Sequence, residues 1–137
     1  MGALTRSSER EAWATVAVVA RDRTDIESLL RPAGLRVNAY DDAESFLLRG
    51  SARGLAFVII DIALPGMSGL ELLRRLRGAG YRVPVIVVAA ESDVPTAVSA
   101  MRAGATDFVE RPLIEWALLR RVEALLHGRS GGGERPS

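Results

Sequence analysis

Cysteine is absent from the 137 residues, so disulfide staples, thiol catalysis and thiolate metal sites are excluded. The single histidine, His127, excludes a multi-histidine zinc or iron centre and leaves carboxylates as the route to a hard cation. Lysine is missing as well: all 18 basic side chains are arginine, a usage that fits a GC-rich coding sequence better than a binding role. Against them stand 17 acidic residues, so the formal charge is +1 and no basic footprint predicts direct nucleic-acid binding. Long apolar runs are also lacking. Ala12–Ala20 and Val83–Ala90 reach about half of the roughly 20 residues that span a bilayer, so no membrane association is expected. Met1–Glu11 carries Arg6, Glu9, Arg10 and Glu11 and no apolar run with a small-residue cleavage site, which makes a cytoplasmic location the expectation.

What is present is the balance of one compact domain, 48% hydrophobic and 26% charged. Thr15–Ala20 (TVAVVA) is a β-branched run of the kind that forms a strand buried on both faces. Thr24 or Asp25 then caps a helix carrying Ile26, Leu29, Leu30 and Ala33, which Gly34 stops. Leu35–Tyr40 reads as a second strand, and Asp41 or Asp42 caps a helix through Phe46, Leu47 and Leu48 to Gly50. Leu55–Ile60 is the third strand, followed by Asp61, a turn over Leu64–Gly69 and a helix with Leu70, Leu72, Leu73 and Leu76 on its apolar side. Val83–Ala89 is the fourth; Ser92 or Asp93 opens the helix of Ala97, Val98 and Met101, which Gly104 ends. Thr106–Val109 is a short fifth strand, and Pro112 begins a last helix, Leu113–Leu126, with Trp116, Leu119, Val122 and Leu126 on one stripe. This divides the chain into an N-terminal extension over 1–13, a folded domain over 14–127 and a flexible Gly/Ser-rich tail or linker over 128–137. Trp13 is placed as a lid on the sheet edge or as part of an extension that meets a partner.

Strands that alternate with helices predict an α/β, doubly wound, five-stranded parallel sheet with helices on both faces. Ligand sites in such sheets lie outside the carboxyl ends of the strands. The residues to inspect are therefore Ala20–Asp22, Asp61, Ala89–Glu91 and Arg111.

At the third strand, Val58 to Leu72 (VIIDIALPGMSGLEL) resembles the phosphoacceptor segment of response-regulator receiver domains of two-component systems. Val83–Val88 (VPVIVV), Asp93-Val94-Pro95, Ala103-Gly104-Ala105, Asp107-Phe108 and Glu110-Arg111-Pro112 look like the second half of that family, particularly its FixJ/NarL-like members. The resemblance runs from about Thr15 to Leu126. It implies a flavodoxin-like (CheY-like) fold with strand order 2-1-3-4-5 and a signalling module whose aspartate, here Asp61, accepts a phosphoryl group from a histidine kinase. It further implies a Mg²⁺ site with an acidic pair after the first strand, a Ser/Thr after the fourth and a Lys before a proline after the fifth. The Arg111-Pro112 bond is expected to be cis on the same ground.

Several of these positions depart from the family pattern. Ala20 and Arg21 stand where the acidic pair belongs, with Asp22 next, and neither a methyl group nor a cation ligates Mg²⁺. Ala89 stands in place of the Ser/Thr, and Arg111 replaces the compact Lys ammonium with a planar fork that pairs carboxylates bidentately. Phe108 takes the switch position without a phenol hydroxyl. The segment from Ala20 to Gly34 is also about one helical turn shorter than the family pattern, which brings Asp22 or Asp25 within reach of the pocket.

The expectation is a receiver with an altered pocket in which Arg21 and Arg111 flank and satisfy Asp61. It is not an enzyme, no cofactor is expected, and it acts as a phosphorylation-independent interaction or dimerisation module. Its partner would be a histidine kinase, another signalling protein or a second copy, with Trp116 as a candidate interface residue. The alternative is a working Mg²⁺-dependent phosphoacceptor that uses Asp61, Asp22 or Asp25, and the Ala63 carbonyl; a third reading is a nucleotide-binding enzyme sharing only the fold, although no Gly-rich phosphate loop follows the first strand. Beside these stand plainer assignments: Asp61 as a turn residue, Asp22 and Asp25 as helix caps, and Arg21 and Arg111 as solvated side chains.

Overall fold

The computed structural model describes residues 14–90 and 94–134, with side chains through His127. The elements alternate: β1 (Thr15–Val19), α1 (Thr24–Leu30, continued by a 3-10 turn over Arg31–Ala33), β2 (Arg36–Tyr40), α2 (Ala43–Arg49), β3 (Phe57–Asp61), α3 (Gly69–Gly78), β4 (Val85–Ala89), α4 (Val94–Arg102), β5 (Asp107–Glu110) and α5 (Glu115–Glu134). The five strands form one parallel sheet in the order β2-β1-β3-β4-β5, which is the flavodoxin-like, CheY-like arrangement. Met1–Trp13 and Glu91–Asp93 lie outside the described residues, and with them the N-terminal extension, the lid assigned to Trp13 and the cap assigned to Ser92 or Asp93.

Each central strand is apolar on both faces because helices cover both. Ala17, Val19, Val58, Ile60 and Val87 point toward α2, α3 and α4, where Phe46, Leu72, Leu73, Leu76 and Ala97 meet them. Their neighbours Val16, Val18, Phe57, Ile59 and Ile86 point the other way, against Ile26 and Leu30 of α1 and Leu118 and Val122 of α5. The period of two in the strands thus feeds two separate cores, each buried Leu, Ile or Phe side chain contributing about 2 kcal/mol of transfer free energy. The edge strands are short. β2 exposes Arg36 and Asn38, and β5 begins with Asp107 and ends with the exposed Glu110.

Three sequence expectations are corrected, and one open choice between neighbours is decided. The residue that precedes α1 is Arg23, whose side chain makes no capping bond, so Thr24 and Asp25 lie inside the first turn; the turn is closed by the backbone bond from Glu27 N–H to the Arg23 carbonyl, 2.8 Å. Of the two aspartates before α2, Asp42 is the cap, accepting from Ser45 N–H at 2.7 Å. The last helix begins at Glu115 rather than at Pro112, which follows a cis peptide bond in the preceding turn. Its buried stripe runs through Leu118 and Val122, and Trp116, two positions from Leu118, is 61% exposed. Finally, α5 continues to Glu134, so the backbone of 128–134 is helical where an open tail was expected. Once a helix is nucleated each added residue needs only one further bond, which lets it outrun its apolar stripe.

Candidate functional site

The β3–α3 turn is shaped largely by its backbone. Ile62 N–H donates to the Val88 carbonyl at 2.9 Å, and Gly69 N–H donates to the Ile62 carbonyl at 3.0 Å. Ser68 caps α3, its hydroxyl accepting from Glu71 N–H at 3.1 Å. Gly69 leaves no room for a side chain: a Cβ there would lie 2.3 Å from the Asp61 carbonyl oxygen. Gly66 adopts φ +73°, the left-handed region that glycine enters freely. Glu44 of α2 reaches over to this turn and accepts from Met67 N–H at 2.9 Å.

This frame places Asp61 at the carboxyl end of β3 with its side chain 15% exposed. Oδ1 accepts from Ala63 N–H at 2.9 Å, and Oδ2 accepts from Arg111 Nη2 at 3.3 Å. Arg111 follows β5, its backbone N–H donating to the Ala89 carbonyl at 2.8 Å. Its fork also donates to Asp25 Oδ2 at 2.5 Å and to the Asp22 carbonyl at 2.9 Å. Ala20 and Ala89 are fully buried methyl groups beside the site.

Half of the expected cationic pair is therefore present. Arg111 meets Asp61, but Arg21 is exposed and makes no hydrogen bond or ion pair among the described residues. The first strand ends before Arg21, and a residue in the solvent-facing bend after it is not aimed at β3. Asp22 is likewise exposed and enters the site through its carbonyl, as an acceptor for Arg111. Ala63 meets Asp61 through its N–H, whereas the metal-bound alternative required its carbonyl. Among the described residues no group of three or more His, Asp or Glu side chains is clustered as a metal would need. Phe108 is half-buried and packs against the core formed with α2, α3 and α4. Trp116 stands apart from the pocket, with the Arg120 guanidinium 5.8 Å from its ring centroid.

Two residues that sequence reasoning passed over shape the neighbouring loop. Arg23 donates to the Asp41 carboxylate, to Glu27 Oε2 at 2.8 Å and to the Ala20 carbonyl at 3.1 Å, tying α1 to the ends of β1 and β2. The bond to Asp41 holds Arg23 above its ordinary pKa, and Glu27 is lowered chiefly by its bond from Arg31, with Arg23 adding to it. The four-residue spacing of Arg23 to Glu27 and of Glu27 to Arg31 was a readable signal. The reach of Glu44 to Met67 had none.

A model of the response regulator receiver domain matches residues 21–123. The transcriptional regulatory protein FixJ of Azorhizobium caulinodans is 41% identical over 108 residues, which cover 79% of this chain and 51% of that protein. The response regulator protein TmoT of Ectopseudomonas mendocina is 34% identical over 128 residues, 91% of this chain and 58% of that one. The chain thus spans about half the length of the curated relatives it matches. Among solved structures, a response regulator receiver protein from Pseudoalteromonas atlantica aligns with a TM-score of 0.77 at 36% identity, over 84% of this chain and 98% of that one. With the same strand order, the aspartate at the end of β3 and a family match over three quarters of its length, the chain belongs to the receiver domains of two-component response regulators.

Proposed function

We propose that this receiver domain works as a phosphorylation-independent protein-interaction module in which Asp61 is held by groups of the chain itself. The observation that carries this reading is the occupancy of the Asp61 carboxylate, by Ala63 N–H on one oxygen and by Arg111 on the other. A carboxylate that accepts a donor on each oxygen has part of its charge drawn off by them and is the weaker nucleophile toward phosphorus, although each oxygen keeps a second lone pair.

The surroundings support the same reading. Phosphoryl transfer to a carboxylate brings two anions together, and their repulsion has to be neutralised by a cation and by hydrogen-bond donors. Mg²⁺ wants an octahedron of hard oxygens, and the residues present do not fit it. Ala20 offers a methyl group and Arg21 a cation where the acidic pair would stand, Arg111 engages both the Asp25 carboxylate and the Asp22 carbonyl, and Ala89 has no hydroxyl for a phosphoryl oxygen. In this reading the domain transforms no substrate, works in the cytoplasm and acts by presenting a surface to a histidine kinase, another signalling protein or a second copy of itself. The exposed Ile114 and Trp116 are the candidate contact residues.

The test is intact mass of the purified chain incubated with acetyl phosphate, with and without Mg²⁺, beside Asp61→Asn as control. No mass gain and no response to Mg²⁺ are expected. A gain of one phosphoryl group that disappears in Asp61→Asn would sink the proposal and make the chain a Mg²⁺-dependent phosphoacceptor.

A further inference from the structure

The guanidinium of Arg111 draws on three parts of the chain at once: Asp25 in α1, the Asp22 carbonyl in the β1–α1 connection, and Asp61 at the end of β3. Of the two carboxylates, Asp25 is the nearer, at 2.5 Å against 3.3 Å. Charge-assisted bonds strengthen as they shorten, and a rigid fork with donors on both terminal nitrogens holds two acceptors at once. Asp25 is itself fixed, its other oxygen accepting from Ile26 N–H at 2.8 Å. The Arg111 side chain is 24% exposed, so these bonds are partly shielded from water.

Immediately after Arg111 the chain turns into α5. Leu113 packs on the core shared with α1, while Ile114 is 55% and Trp116 61% exposed. Ala117 and Leu118 N–H both donate to the Ile114 carbonyl, so the first turn of α5 is built on this segment. Whatever fixes Arg111 therefore bears on where Ile114 and Trp116 stand.

We propose that Asp25 is the internal counter-ion of Arg111, and that their pair latches the β5–α5 turn onto α1 so that Ile114 and Trp116 keep one constant arrangement. This rests on the phosphorylation-independent reading above and gives it a physical basis: an anion built into the chain does permanently what a transient, covalently added one would do only when present. Asp25 is a positioning residue that acts through Arg111. Its reach to the pocket follows from the short connection between β1 and the 3-10 turn, which draws the first turn of α1 toward the carboxyl end of the sheet.

Amide hydrogen exchange on the full chain tests the latch, comparing Asp25→Asn, Asp25→Glu, Asp61→Asn and Arg111→Lys with the unchanged sequence. Asp25→Asn is isosteric and keeps an acceptor for Ile26 N–H. The amides of Ala117 and Leu118, which donate to the Ile114 carbonyl, are expected to exchange about tenfold faster in Asp25→Asn and in Arg111→Lys, whose compact ammonium cannot bridge both carboxylates. Asp61→Asn is expected to change them by less than about threefold, and Asp25→Glu to recover most of the protection. Unchanged exchange at Ala117 and Leu118 in Asp25→Asn, or an equal rise in Asp61→Asn, overturns the proposal. Should Asp25→Asn fail to fold, Arg111→Lys decides the matter by the same comparison with Asp61→Asn. Phosphoryl uptake by the unchanged chain would overturn the reading of Asp61 alone, and the exchange result would still judge the latch.

Discussion

The two connections that border the pocket are held by different means. The turn from β3 to α3 rests on backbone hydrogen bonds, a serine cap and two glycines whose space or backbone angle no other residue reproduces. The connection from β1 to α1 has no side-chain cap and rests on two arginines, Arg23 within it and Arg111 reaching in from beyond β5. A turn built from backbone geometry is specified by its own few residues and tolerates little change. A connection built from ion pairs depends on distant partners, and it varies with salt and pH.

The largest effect should come from breaking the geometric side. In Gly69→Ala the new Cβ would meet the Asp61 carbonyl, and neither backbone can yield cheaply. A loss of roughly 2–3 kcal/mol in urea unfolding is expected, insensitive to ionic strength. A loss below about 0.5 kcal/mol would mean that the turn can shift and that the contrast is false.

The ionic side should respond less and differently. Arg23→Ala removes the bonds to Asp41, Glu27 and the Ala20 carbonyl. About 1 kcal/mol is expected, shrinking as salt is added because exposed pairs are screened. Equal losses at low and high salt would show that Arg23 acts by packing its stem rather than by charge.

The smallest effect is that of pH. Glu27 is held below its ordinary value by Arg31 and then Arg23. A carboxylate with a depressed folded-state pKa gives stability that is complete above its unfolded value and is lost as pH falls through the folded one. Acidification from neutrality into that range should therefore loosen α1 before α3, whose Ser68 cap does not titrate. Amide exchange followed across a pH series would reveal the order, and simultaneous loosening of both helices would blunt the distinction.

The same contrast explains what the sequence made legible. The strands could be read because continuous β-branched runs have few alternatives to burial on both faces. The turn at Leu64–Gly69 could be read because its chemistry is local, and the Ser68 cap at its end, equally local, is added by the structure. Asp61 could be placed because the segment that marks it, Val58 to Leu72, is contiguous in the sequence. Asp25 reads in the sequence as a helix cap or as a residue within reach of the pocket, but its partner there, Arg111, lies 86 positions away, a distance over which no local pattern carries information. Arg21 was put in the pocket by counting from the strand, yet the arginine that engages its neighbours there is Arg23, two positions on and drawn in by Asp41. The stripe of α5 differs from the expected one because two successive three-residue steps from Trp116 to Val122 drift by about 120° around the helix, whereas Leu118, four positions before Val122, shares its face and meets the sheet.

The edges of the sheet carry one more consequence. Among the described residues the row of five strands leaves two unpaired flanks, and unpaired flanks recruit other chains when they are long, flat and apolar. Here one flank is five residues with Arg36 and Asn38 turned outward, and the other is four residues bounded by Asp107 and Glu110. Abundant expression of this chain should consequently yield soluble particles rather than fibres, and any self-assembly it undergoes should proceed through helices and turns, with its sheet left at five strands.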